Sequence, residues 1–184
     1  MKKSLLILLI SSFLYASDAT FYFGAGAGVY NENIQGDDDH PEIDDSSTHG
    51  SGSIKVGYGI RESYAIEFSA DFIDNSQTYL RTWKAKYGFD ISLLKSFNFD
   101  TFFLPFLKVG FGSGMIDNSD NDLQSKTYGN FLVGGGCFIP LSKHYDIEFN
   151  YTYQHLSYEK LDELQPTNFT SDVNNAYVGI NFRL

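Results

Sequence analysis

The chain ends Asn174-Asn175-Ala176-Tyr177-Val178-Gly179-Ile180-Asn181-Phe182-Arg183-Leu184, NNAYVGINFRL in one-letter code. Ala176, Val178, Ile180, Phe182 and Leu184 form one apolar series, and Asn175, Tyr177, Gly179, Asn181 and Arg183 form a second that is mostly polar or small. Strict alternation of this kind marks a β-strand whose two faces meet different surroundings. A terminal strand frays unless something holds it. The pattern therefore asks for a sheet that pairs this strand on both edges.

The opposite end points to the compartment. Met1-Lys2-Lys3 precedes an apolar run from Leu5 to Ile10 and then Ser11-Ser12-Phe13-Leu14-Tyr15-Ala16. A basic start, a short apolar run and a small residue at the break describe a secretory signal peptide. The run is shorter than the about 20 apolar residues of a spanning helix. Residues 1–16 are expected to be removed after Ala16, with Ala19 the alternative site, leaving one domain over 17–184. Loss of Lys2 and Lys3 moves the formal charge from -10 to -12, and no basic stripe suggests nucleic acid. Cys137 is the one cysteine, so an internal disulfide is excluded.

Between these ends the alternation recurs. Phe21, Phe23, Ala25, Ala27 and Val29 oppose Gly24, Gly26 and Gly28; Ile54, Val56, Tyr58 and Ile60 oppose Lys55, Gly57 and Gly59. Tyr64, Ile66, Phe68, Ala70 and Phe72 oppose Glu67, Ser69 and Asp71. Trp83, Ala85, Tyr87, Phe89, Ile91 and Leu93 oppose Lys84, Lys86, Gly88, Asp90 and Ser92. A fifth segment, from about Phe103 to Ser113, sets Val109 and Phe111 against Lys108, Gly110 and Gly112. A glycine-rich sixth places Phe131, Val133, Cys137 and Ile139 outward. The seventh sets Tyr145, Ile147, Phe149, Tyr151 and Tyr153 against Asp146, Glu148, Asn150, Thr152 and Gln154. The terminal strand is the eighth.

Short connections at 61–63, 94–101 and 141–144 alternate with polar ones at 31–50, 74–82, 114–127 and 158–172. An even number of alternating strands, with short turns and longer loops in turn, is the signature of an outer-membrane barrel. A soluble sandwich or lipocalin-like barrel also alternates. The export signal, the glycines on the polar face and the aromatic last strand favour the membrane. The expected fold is thus an all-β, eight-stranded antiparallel transmembrane barrel with periplasmic turns. Its interior is expected to hold Lys55, Glu67, Asp71, Lys84, Lys86, Asp90, Lys108, Asp146, Glu148 and Arg183 as a mutually compensating charge network.

Phe23-Gly24-Ala25-Gly26-Ala27-Gly28, Pro105-Phe106 with Val109-Gly110-Phe111-Gly112, and Tyr145-Asp146-Ile147-Glu148-Phe149-Asn150-Tyr151 carry a family resemblance. The chain resembles the small outer-membrane β-barrel superfamily of the outer membrane protein A barrel domain, outer membrane protein X and the opacity-type porin-like proteins. That resemblance implies residence in the bacterial outer membrane, contact with its lipid and lipopolysaccharide, and folding by the outer-membrane assembly machinery. Ile180, Phe182 and Leu184 then resemble the C-terminal signal that this machinery reads. No cofactor is expected, and the identity of an extracellular partner is left open.

Two candidate sites remain. Tyr153-Gln154-His155-Leu156-Ser157 looks like the His-x-Ser motif of the lipid A 3-O-deacylase barrels, in which histidine activates a serine nucleophile. The family's orienting Glu aligns best with Asn174, with Asp172 two residues earlier on the same face, and Tyr158 stands where the family has Asn. A histidine in the polar interface girdle is the preferred reading. Asp37, Asp38, Asp39 and Glu42 form an oxygen-rich group suited to Ca²⁺ or Mg²⁺, though such a run more often stays a solvated acidic loop. The leading expectation is a non-enzymatic barrel exposing acidic loops for surface interaction or envelope integrity. A deacylase-like hydrolase is the runner-up, and a small-solute pore is a weaker third.

Overall fold

The computed structural model describes residues 18–36, 44–74, 83–118, 126–158 and 169–184. The expected leader lies outside the described residues, as do Asp37, Asp38, Asp39 and Glu42. Eight strands follow one another: β1 (Thr20–Gly36), β2 (Asp44–Gly59), β3 (Tyr64–Asp74), β4 (Trp83–Ser96), β5 (Leu104–Asn118), β6 (Lys126–Pro140), β7 (Tyr145–Tyr158) and β8 (Phe169–Arg183). Each pairs antiparallel with its sequence neighbour, and β8 pairs with β1 to close the barrel.

Closure resolves the question that the last strand raises. Phe182 stands opposite Phe23 on one edge and Tyr145 on the other. Arg183 N donates to His144 O at 2.7 Å, and Leu184 N donates to Phe21 O at 3.0 Å. The terminal residues therefore have backbone partners on both sides.

Side-chain parity follows the alternation. Phe21, Phe23, Ile54, Phe68, Phe89, Phe111, Phe149 and Ile180 point outward and are exposed. A belt of exposed aromatics of this extent is a membrane-facing surface, because water-soluble proteins do not tolerate it. Cys137 belongs to the outward series of β6, across from Phe149.

The strands are longer than the alternation suggests. Residues 31–50 read as a loop, yet Asn31 to Gln35 pair with Thr48 to Asp44, and inward Glu32 and Ile34 are buried. The first polar connection shrinks accordingly. Asp172 likewise lies within β8, and Leu94 to Ser96 within β4. Polar outward residues imitate a loop where a strand rises past the hydrocarbon, since both of its faces then tolerate polarity.

Nor is the interior purely polar. Tyr22, Ala65, Leu94, Leu104, Phe106 and Phe138 fill the turn end. Tyr30, Ile34, Ile73, Ile116, Tyr128, Leu156, Tyr158 and Val173 fill the loop end. Lys55, Glu67, Lys108 and Glu148 lie between these two apolar plugs, whereas Lys86 is enclosed by the loop-end tyrosines and Arg183 lies against Tyr22 and Phe138 of the turn end. This is why the fifth and sixth segments read less cleanly, with apolar residues on both of their faces.

Glycine is needed where large inward side chains cross the lumen. A Cβ on Gly57 would stand inside the ring of Tyr22, which is fully buried and hydrogen-bonded to Glu67. A Cβ on the outward Gly52 meets nothing closer than Gly26 O at 4.0 Å. We therefore expect Gly57→Leu to destabilise by about 1–3 kcal/mol, the usual cost of overpacking. Gly52→Leu, on the opposite, outward face of the same strand, should be neutral. The check is the urea midpoint, read from the gel mobility difference between folded and boiled barrel; equal midpoints would contradict the assignment of the two faces.

Candidate functional site

Antiparallel register brings distant acids and bases to the same height in the lumen. Glu67 on β3 receives Lys108 of β5 at 2.7 Å, Lys55 of β2 at 3.4 Å and the Tyr22 hydroxyl at 2.8 Å. Lys55 also donates to Glu148 of β7, which accepts from Asn181 Nδ2 at 2.9 Å. Five strands and the last one thus meet at one buried cluster. Nearer the turns, Asp146 pairs with Arg183 and, at 3.0 Å, with Arg61. Arg61 also donates to the carbonyls of Ser142 and Lys143 across the turn end. The Arg183 guanidinium lies 4.6 Å from the centre of the Tyr22 ring, a cation–π contact.

A second cluster lies toward the loops. Lys86 donates to Glu32 at 2.7 Å and to the Tyr158 hydroxyl at 2.8 Å. Tyr158 and Ser171 both donate to the same Glu32 oxygen. Rings of Tyr30, Tyr128 and Tyr158 surround the ammonium at 5.0 to 5.3 Å. Sequence reasoning placed Glu32 in a loop and Arg61 in a turn, so it missed both partners. The missed signal is the run Tyr30, Glu32, Ile34, which continues the inward parity of Gly24, Gly26 and Gly28.

Between the clusters, Asp90 accepts from Asn130 Nδ2 at 2.8 Å. Asp71 and Asp90 line a space of about 30 Å³ with Lys55, Glu67, Lys108 and Tyr177. That is room for about two waters and for no solute larger. Lys84 sits at the register irregularity between Trp83 and Ala85, and its side chain lies outside the described set. The remaining nine members of the expected network are placed in the lumen.

Outside the barrel, toward the loops, β7 and β8 build a polar ladder. His155 stands opposite Asp172, and its Nδ1 lies 2.8 Å from Asp172 Oδ1. The same oxygen accepts from the Tyr153 hydroxyl at 2.7 Å, while Asn174 Oδ1 accepts from Tyr151 at 2.7 Å. Asp172, rather than Asn174, is thus the partner of His155. A carboxylate can only accept, so Nδ1 is the donor in this contact. Ser157 lies two residues further on the same exposed face. Among the described residues no group of three or more His, Cys, Asp or Glu could hold a metal ion. Ile180, Phe182 and Leu184 all point outward at the turn end, and Phe182 packs 5.3 Å from the Tyr145 ring.

Buried ion pairs add little net stability, since desolvation offsets attraction, but deleting one partner strands the other at about 3–5 kcal/mol. We expect Glu67→Leu, which abandons two lysines and a tyrosine, to cost that much, and Glu148→Leu to cost nearly as much. Leucine at exposed Asp117 should change stability by less than about 0.5 kcal/mol. Detergent-refolded variants compared by urea midpoint test the ranking; an Asp117→Leu loss as large as that of Glu67→Leu refutes it.

Solved structures share this architecture. Neisserial surface protein A aligns with a TM-score of 0.62 at 16% identity, over 90% of this chain and 99% of that one. Ail of Yersinia pestis, in complex with the heparin analogue sucrose octasulfate, aligns with 0.54 at 14% identity, over 89% of this chain and 99% of its own. OprG, an outer membrane protein of Pseudomonas aeruginosa, aligns with 0.51 at 13% identity, over 90% and 96% of the two chains. No curated protein matches the sequence. The profile of the outer membrane protein beta-barrel domain matches residues 4–183. With its closed eight-stranded barrel and aromatic outer belt, the chain belongs to the outer membrane protein β-barrel domain family and is a protein of the bacterial outer membrane.

Proposed function

We propose that this barrel is a non-enzymatic integral protein whose lumen is a structural plug and whose outer end carries its interactions. The observation behind this reading is the closed lumen. Lys55, Glu67, Lys108 and Glu148 pair across it, and apolar clusters fill both ends. A filled interior argues against the small-solute pore. Function is then left to surfaces that face water or lipid.

The first connection, with Asp37, Asp38, Asp39 and Glu42, has no Lys or Arg between Gly36 and Asp45. An acidic surface of this kind favours cationic partners, through attraction that salt screens. The polyanion held by Ail is the opposite chemistry, and we do not carry it over. Surface interaction through cations, or bridging of lipopolysaccharide phosphates by divalent ions, fits the charge. Cells displaying the wild-type barrel should adhere to a polylysine surface more than cells with all four acids neutralised to Asn or Gln. The difference should vanish in high salt. Purified protein should give no conductance steps in planar bilayers; steps, or equal adhesion, would overturn the reading.

The His155–Asp172 pair supports a second reading, a serine hydrolase acting on an ester of lipopolysaccharide. Asp172 orients the imidazole, Nε2 would take the Ser157 proton as Oγ attacks the ester carbonyl, and the proton would pass to the leaving alkoxide. The exposed face suits a substrate held in the membrane. Mass spectrometry of lipid A separates the two readings. The non-enzymatic one expects identical lipid A with and without the protein. Loss of one ester-linked acyl chain, abolished by Ser157→Ala and reduced by orders of magnitude in Asp172→Asn, would establish the hydrolase.

A further inference from the structure

The turn joining β4 to β5 reads Phe97-Asn98-Phe99-Asp100-Thr101-Phe102-Phe103, four phenylalanines in seven residues. Phe99 is 65% exposed and Phe102 77%. The other two turns, 60–63 and 141–144, are shorter and carry Arg61, Glu62, Lys143 and His144. Large rings held open to solvent are costly, so a surface of this kind has a partner.

The turn is built rather than loose. Phe97 N donates to Pro105 O at 2.9 Å, Asn98 Oδ1 accepts from Asp100 N at 2.8 Å, and Thr101 Oγ1 donates to Phe103 O at 2.8 Å. Asn98 Nδ2 reaches Glu62 of the neighbouring turn at 2.6 Å. Asp100 has a φ of 56°, a left-handed conformation that Asp tolerates better than most side chains. The backbone reverses there and leaves the rings outside.

The direction in which they point identifies the partner. Tyr64, in the outward series of β3, lies 4.1 Å from the Lys95 ammonium, which is 5.8 Å from the Phe97 ring. Phe97 in turn stacks on Phe99 at 6.2 Å. This unbroken path runs from the membrane-facing wall into the turn. On the other limb Phe102 packs edge-on to Phe103 at 5.1 Å, and Leu107 continues outward on β5. The barrel mouth itself is already filled by Leu94, Leu104, Phe106 and Phe138. The aromatic turn therefore extends the outer wall, not the lumen.

We propose that this turn anchors the barrel in the periplasmic leaflet. Phe97, Phe99 and Phe102 sit at the boundary of phospholipid headgroups and acyl chains, and Lys95 reaches the lipid phosphates. Continuity with the lipid-facing belt carries the choice of lipid over a periplasmic protein. An ammonium flanked by rings on that same wall agrees with it, because lysine stems lie along apolar surface while the charge seeks the interface.

The native chain has one tryptophan, Trp83, so W83F gives a dark background. F99W and F102W are each placed in it and refolded into phosphatidylcholine–phosphatidylglycerol vesicles, folding being confirmed by heat-modified gel mobility. F149W on the outer wall and K143W in the shorter turn serve as lipid and water references. Lipids brominated high on the acyl chain should extinguish most of the F99W and F102W emission, as for F149W, and iodide should have little effect. Iodide quenching at the K143W level, with emission unchanged by bromolipid in both variants, would overturn the proposal and leave the turn facing a periplasmic protein.

Discussion

A backbone inside hydrocarbon has no water to satisfy its amides and carbonyls, so every strand must be paired on both edges. The pairing of β8 with β1 is the contact that meets this condition, and without it two rows of backbone groups would face lipid. The rest of the structure depends on it. Closure with eight strands makes the lumen so narrow that side chains fill it. Filling it with Tyr22 and Tyr128 then requires glycine at Gly57 and Gly114, where a Cβ would overlap their rings.

The same narrowness explains why the lumen charges come as paired sets. In a space with no room for a hydration shell, an ion must be answered by another ion or by converging hydrogen bonds. Glu67 is answered by two lysines and a tyrosine, and Glu32 by one lysine, a tyrosine and a serine. Such sets favour one register over its neighbours. A slip by one residue would turn Glu67 to the lipid and Phe68 to the lumen. The pairs thereby specify the barrel even where their net contribution to stability is small.

Much of this was legible beforehand because period-two alternation reports two solvents directly. The outward series of β3, β4, β7 and β8 and the inward charges of β2, β3, β4, β5, β7 and β8 could be read from parity alone. What parity could not show was where each strand stops. Past the hydrocarbon a strand no longer needs an apolar outer face, so Asn31, Asn33, Thr48 and Asp172 carried no strand signal. Glu32 was lost with them, although its partner Lys86 was read as inward. Arg61 was missed for a different reason. A turn residue has no face, and only the fold brings it to Asp146 on β7.

The polar ladder of β7 and β8 gains its meaning from the same boundary. Tyr151, Tyr153 and His155 share the outward parity of Phe149, yet their polar atoms are bonded to Asn174 and Asp172. In hydrocarbon an exposed imidazole–carboxylate pair would be costly. Its place on the outer wall therefore marks a height where the barrel has left the acyl chains and stands among headgroups. At that height the imidazole stands among headgroups, held on the wall by its contact with Asp172. The ladder thus ties β7 to β8 through side chains where the outer face turns polar, in addition to the backbone pairing that closes the sheet throughout.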